Sequence, residues 1–525
     1  MRKIISLFMT VIVMLSLCSC DVIENIKRYL PQNEEHSNTE VINNEKSNDV
    51  ANAINICMYD FDTFNPLLTN SQSVKDAMKF VYEPLFTLDA SLNPVTVLAS
   101  EYWLSDDGRC IDIKLKDDVS WHDGAAFNAY DVSYTINCIL KGQTSYMLND
   151  VASCSVIDNM NVRINFNHSL PNGAALLTFP IIKNRTSMTP NSLYMPIGTG
   201  PFSYSGKVSV DRYMLLASDY YYNQKAKIGG VYIDVVPDRD RYFTMFNSGN
   251  TDVCNASLIE DYQYTPKGNI KINDYISNEL IYLGINNSSH FLSGKNTRQA
   301  IFWMIDKEEI AQKVMYSTIQ AVDVSHNPSS VYYTGSNNLR TDSIKAQELL
   351  EADGFVAQAK GYTKVVGNVN QQLKVTLLVN KDNAGDVMIA QKIHDNLNMN
   401  GIKIVTEELP YDVYTQRIQA KNYDICLGRH NMSANMDVTD LLGASNKFGY
   451  NNVTIEMLIS QLGTTHNEED KKALYQQLHD VLNDDMPIVP IAFKKDKVYT
   501  SARINNVSPM GADAFYVNLQ NWSIK

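Results

Sequence analysis

Gly428-Arg429-His430-Asn431-Met432-Ser433-Ala434-Asn435-Met436-Asp437 brings a guanidinium, an imidazole, a hydroxyl and a carboxylate into one short stretch. The planar fork of Arg429 suits an anionic group. His430 invites a metal reading, but no second His or carboxylate stands at ligand spacing nearby, so no metal is expected. Catalysis needs more than this. No GxSxG, HExxH or Ser/His/Asp set occurs in a mutually supporting context. The pairs Asp106-Asp107 and Asp117-Asp118 sit at turns and read as solvated. A glycosidase could hold its two carboxylates far apart in sequence, so the missing motifs do not by themselves decide between catalysis and binding; no catalytic residue and no cofactor is singled out.

The elements that must position this stretch precede it. Thr341-Asp342 caps a helix with Leu349 and Leu350 inward, ended by Gly354. Val375 to Val379 reads as a strand, Ile389 to Leu397 as a helix stopped by Gly401, and Ile402 to Val405 as a strand. Tyr411 to Ala420 is a helix and Tyr423 to Leu427 a strand. A βαβαβ order predicts a parallel sheet with covering helices, and such sheets bind ligands beyond the carboxyl ends of their strands. The loop expected after Leu427 is that place.

Composition narrows the class. The chain has 525 residues, 44% apolar and 20% charged, which calls for two or three lobes around a large core. A formal charge of −13 and the lack of a basic block argue against nucleic acid. Arg2 and Lys3 precede an apolar run from Ile4 to Leu17 that is too short for an ordinary membrane span. Leu17-Cys18-Ser19-Cys20 then resembles a lipoprotein signal over residues 1–19, with Cys20 acylated. Cys18 competes poorly, because Leu17 before it is bulky. Residues 20–50, rich in Asn, Glu, Ser and Lys, cannot offset their ordering entropy and are expected to tether a soluble body to the membrane surface. Cys57, Cys110, Cys138, Cys154, Cys254 and Cys426 are spread without a CxxC pattern and read mostly as buried thiols, their pairing left open.

An ordered set of elements runs from Glu83 to Val132. It comprises Tyr82-Glu83-Pro84-Leu85-Phe86, Leu98-Ala99 with Trp103, Asp107-Gly108, Trp121-His122-Asp123-Gly124 and Ala129-Tyr130-Asp131-Val132. Between them, Ile111, Ile113 and Leu115 alternate with polar residues as a half-buried strand. Val74 to Leu85 recurs at helical spacing, with Pro84 expected to stop the helix. Further on stand Gly198-Thr199-Gly200-Pro201-Phe202, Phe246 to Val253, Thr297-Arg298-Gln299-Ala300-Ile301 and Pro487 to Ile491. The glycines at 198–200 lack the Lys-Ser/Thr of a phosphate loop and read as a turn into a strand.

The whole set resembles the extracellular solute-binding proteins of oligopeptide and dipeptide ABC importers. That resemblance implies an α/β, type II periplasmic-binding-protein-like fold of cluster C architecture, with two large hinged lobes and a smaller inserted lobe. The implied division is lobe I at 51–90, 181–275 and 495–525, inserted lobe II at 91–180, and lobe III at 276–494. It implies a peptide or small-molecule ligand, an ABC permease with its ATPase as partners, an extracellular, lipid-anchored location and a monomer. Cleft residues follow by resemblance: Asn70 and Ser71 at one edge, Tyr146 as an aromatic or an ordinary loop tyrosine, Asn255, and Tyr282 at the crossover. On the other lobe they are Tyr411, Tyr414 and Arg417, with core packing a rival for the tyrosines, then Arg429, His430, Asn431 and Ser433, and Phe493. Arg298 reads as an ion pair within the framework. Peptide-binding relatives place an Asp where Ser433 falls, to pair with the peptide ammonium. Without it, unless Asp437 reaches back, a capped, modified or non-peptide ligand, an oligosaccharide or a metal chelate, gains weight. A peptide-sensing receptor is the rival outside transport.

Overall fold

Alternating apolar positions build the sheets. In the computed structural model, residues 50–525 are described apart from 171, 192, 257–265, 336–338, 434–437, 444–445 and 508–517. Cys20, the signal and tether ranges before residue 50, and Asp437 lie outside the described residues.

The first lobe carries the sheet β1-β10-β9-β8, from β1 (Ala53–Met58), β8 (Phe202–Ser209), β9 (Arg212–Ala217) and β10 (Gly230–Val235). Its core joins Ile54, Met58, Phe80, Val81, Phe202, Ile233, Val498 and Trp522, so the C-terminal segment closes back onto it. The short strands β21 (Ile504–Asn505) and β22 (Ser523–Ile524) pair there.

A hairpin, β2 (Phe86–Leu88) and β3 (Pro94–Thr96), leads into the inserted lobe. In the turn between them, Asp89 Oδ1 accepts from the Ser91 and Asn93 amides at 2.8 and 2.9 Å. Its sheet is β4-β5-β7-β6, from β4 (Ala99–Leu104), β5 (Cys110–Leu115), β6 (Val151–Asp158) and β7 (Asn161–Phe166). Ile111, Ile113 and Leu115 are buried as their alternation predicts. The helix Ala129–Leu140 opens on a capping box between Asn128 and Asp131, and Asp131 also accepts from the buried Trp121 Nε1 at 3.1 Å. The signature residues there serve as framework.

The third lobe holds most of a seven-stranded sheet: β11 (Val253–Asn255), β12 (Ile270–Ile285), β13 (Ile319–Ala321), β17 (Lys374–Asn380), β18 (Lys403–Leu409), β19 (Ile425–Asn431) and β20 (Ile488–Ser501). A small sheet of β14 (Val356–Gln358), β15 (Gly361–Val366) and β16 (Val369–Gln372) sits beside it. The helices Ala384–Met399 and Tyr411–Gln419 connect β17, β18 and β19, which are parallel as the βαβαβ order predicts. The sheet as a whole is mixed, because β12 and β20 join antiparallel.

Three expectations need correction. The helix after Asn70 spans only Gln72–Met78 and does not run on to Pro84. The carbonyls of Phe80 and Val81 are taken instead by the amides of Phe202 and Gly200, at 3.1 and 2.9 Å. A Cβ on Gly198 or Gly200 would strike the Val81 carbonyl, so that turn needs glycine for close approach. Second, residues 428–431 are not a loop: β19 starts at Ile425 and continues through them, because β12 offers a paired edge from Ile285 to Glu279. Third, Arg298 makes no ion pair among the described residues but donates to the carbonyls of Asp485, Met486, Leu292 and Ser293. It thereby caps the helix Glu468–Asp485, whose last carbonyls lack partners of their own. That helix buries Tyr475, Leu478, His479 and Leu482, and Leu474 and Val481 pack against the same core.

Candidate functional site

Two long strands span the halves of the body. β12 and β20 pair antiparallel from Ile270↔Ser501 to Gly284↔Ile488, and their register shifts between Ile276 and Leu280 and again between Ile281 and Tyr282. At the break, Ser277 Oγ donates to the Lys494 carbonyl at 3.0 Å. Asn327 Nδ2 donates to the Ser277 carbonyl and to Asn278 Oδ1, at 3.0 and 2.9 Å. The Met432 amide donates to the Asn278 carbonyl at 2.9 Å. One end of this ribbon belongs to the core around Val498, the other to the core around Ile281 and Val489. A paired ribbon with its register irregularities gathered in one short stretch bends there at least cost, which is the geometry of a hinge.

The sequence-expected site residues fall into separate groups around this ribbon. On β19, Gly428 faces Tyr282, Arg429 faces Ile281, His430 faces Leu280 and Asn431 faces Glu279. Gly428 must be glycine, because a Cβ would sit 2.6 Å from the Tyr282 ring. Tyr282 packs edge-on to Phe448 with centroids 5.8 Å apart. Phe493 is fully buried on β20 opposite Leu280. Tyr414 is buried, its hydroxyl donating to the Leu427 carbonyl at 2.5 Å. Tyr411 is exposed, and Arg417 Nη1 donates to Glu407 Oε2 at 3.0 Å. Ser433 is half-buried just past the strand end.

Arg429 is committed within the protein. Its Nε donates to Asp386 Oδ1 at 2.7 Å and its Nη1 bonds Glu279 Oε1. Asp386, in the first turn of the helix Ala384–Met399, is buried, and burial raises its carboxyl while the Arg429 charge lowers it. The trio carries two carboxylates against one guanidinium, so its net charge is −1 with Asp386 ionised. Neither acid was expected from the sequence. Asp386 follows the carboxyl end of β17, where the parallel-sheet rule points. Glu279 lies 150 residues from Arg429, and no spacing signals it.

On the first lobe, Asn70 is exposed and its amide donates to Asp62 Oδ2 at 3.1 Å. Ser71 Oγ donates to the Tyr59 carbonyl at 2.8 Å. Asn255 is buried, its Nδ2 donating to Asp76 Oδ2 at 2.7 Å, which ties β11 to the helix Gln72–Met78. Tyr146 lines a cavity of ≈ 370 Å³ between the first and inserted lobes; the other expected site residues do not line it. Among the described residues no group of three His, Cys, Asp or Glu could hold a metal.

The inserted lobe also reaches the third. Leu88, Leu92 and Ala175 share one core with Leu458, Leu462 and Leu478. A Cβ on Gly463 would meet Ser169 Oγ at 2.6 Å.

A sequence profile described as bacterial extracellular solute-binding proteins, family 5 (middle) matches residues 93–452. The chain belongs to this family. The oligopeptide-binding protein AppA of Bacillus subtilis is 23% identical over 452 residues, covering 81% of this chain and 82% of that one. The nickel-binding periplasmic protein of Escherichia coli is 22% identical over 467 residues, covering 82% and 87%. The solved structure of HbpA2 from Haemophilus parasuis shares the fold, with a TM-score of 0.74 at 19% identity over 90% of this chain and 100% of that one. Proteins of this family bind solutes outside the cell. This family is extracellular or periplasmic, and among the described residues no helix is long and apolar enough to cross a membrane.

Proposed function

We propose that this family 5 protein captures an oligopeptide, or a related solute with a cationic end, between its two large lobes and hands it to an ABC permease driven by its ATPase. The carrying observation is the β12–β20 ribbon, with its register shifts on either side of Leu280–Ile281, beside the Glu279–Arg429–Asp386 trio. The trio's excess negative charge supplies a counter-charge for an ammonium, a role that Ser433 cannot fill. The free edges of extended peptides suit backbone hydrogen bonding, which gives affinity with little side-chain selectivity. The protein binds without transforming its ligand, acts as a monomer, and is held to the membrane by lipid on Cys20.

A metal-chelate carrier is the second reading; it draws on His430 and on the nickel-binding relative. Mass spectrometry of what the purified full chain releases on denaturation separates the two. Peptides with free amino termini are expected. A nickel chelate or a sugar as the sole released species contradicts the proposal.

A further inference from the structure

The cavity between the first and inserted lobes is not accounted for by capture at the hinge. Its ≈ 370 Å³ falls in the range of small-molecule sites, about 300–1,000 Å³. Its apolar wall includes Met78, Val95, Val97 and Pro180. Three ammonium groups point to its chemistry. Lys79 is paired, 3.5 Å from Asp76 Oδ1. Lys75 and Lys116 form no ion pair among the described residues. Their partners are ring faces: Lys75 Nζ lies 4.8 Å from the Tyr146 centroid and Lys116 Nζ 5.0 Å from that of Tyr222.

The acids lining the same cavity are already occupied. Asp89 spends its oxygens on its own turn, accepting from the Ser91 and Asn93 amides and from Asn93 Nδ2 at 3.2 Å. Glu83 is buried, one oxygen accepting from Thr199 Oγ1 at 3.0 Å and the other from the hydroxyls of Tyr221 and Tyr222 at 3.1 and 3.2 Å. Burial also lifts its carboxyl to about 7 against the lowering by the Lys116 charge, and lowers the Lys75 ammonium against the raising by Asp62 and Asp76.

We propose that this cavity is a second binding chamber, selective for small organic anions with an apolar body. The anionic group sits against Lys75 and Lys116, which hold it between tyrosine faces, and the apolar part lies on Met78 and Val97. This goes beyond solute capture at the hinge, because none of the residues in the Glu279–Arg429–Asp386 trio lines the chamber.

Fluorescence titration of the ligand-stripped full chain with anilinonaphthalene sulfonate, and with its uncharged counterpart phenylnaphthylamine, tests this. Saturable one-to-one binding of the sulfonate is expected, about tenfold tighter than of the neutral probe. The variant Lys75→Gln/Lys116→Gln is expected to lose that preference with its circular dichroism unchanged, and Lys79→Gln, already neutralised by Asp76, to keep it. Equal affinity for both probes, equal sulfonate affinity in the double variant, or no saturable binding overturns the proposal. Should the double variant fail to fold, the comparison of the two probes on the unaltered chain still decides.

Discussion

Arg429 shows how one side chain can look like a ligand contact and serve another purpose. Its type and position suggest an anion site, yet two carboxylates already hold its fork. Removing it leaves a buried acid uncompensated. Arg429→Met is expected to cost on the order of 3 kcal/mol, read as a fall in the denaturant midpoint. An unchanged midpoint would mean that the trio is not a buried network. Glu83 makes a pH-dependent prediction. Burial outweighs the hydrogen bonds from Thr199, Tyr221 and Tyr222 and raises its carboxyl from 4.5 to about 7. Between those values the folded protein keeps a proton that the unfolded chain has lost. The stability from this group is therefore full below pH 4.5 and is lost as pH rises through about 7. Glu83→Gln should flatten that part of the profile, a difference on the order of 3 kcal/mol between its ends. A variant profile parallel to the unaltered one would contradict this.

At the level of elements, local chemistry made much of the fold legible. The Asn128–Asp131 capping box, the positive-φ turns at Gly108, Gly354 and Gly401, and the alternation of Ile111, Ile113 and Leu115 all act through near neighbours. The misjudged elements were decided by distant partners. The helix from Gln72 stops early because Gly200 and Phe202 claim its next carbonyls, and β19 runs to Asn431 because β12 lies beside it. The site was less legible for the same reason. Arg429 was in view, but Glu279 reaches it only through strand pairing, and Lys75 meets Tyr146 only when two lobes join. Contact between the inserted lobe and the helix Val453–Thr464 also gives a test. A side chain at Gly463 has no room against Ser169, so Gly463→Val should push the inserted lobe from the third and enlarge the radius of gyration in scattering. An unchanged scattering curve would show that this contact does not set the spacing of the two lobes.

At the scale of the whole molecule, the proposed capture needs the lobes to move about the β12–β20 ribbon, whose register shifts lie close together. Membrane attachment is separable from it. Cys20→Ser is expected to move the protein from the membrane pellet to the soluble fraction without altering ligand capture; a variant that stays in the pellet would contradict acylation at Cys20. The most direct measurement is the distance between the lobes. Val210 and Met399 are 77% and 83% exposed, on the first and third lobes, and suit cysteine labelling once Cys110 and Cys154 are replaced. Single-molecule energy transfer between dyes at these sites should show two populations in ligand-stripped protein, shifting to the shorter distance when the solute released on denaturation is added back. One fixed distance, the same with and without that solute, would contradict capture by closure.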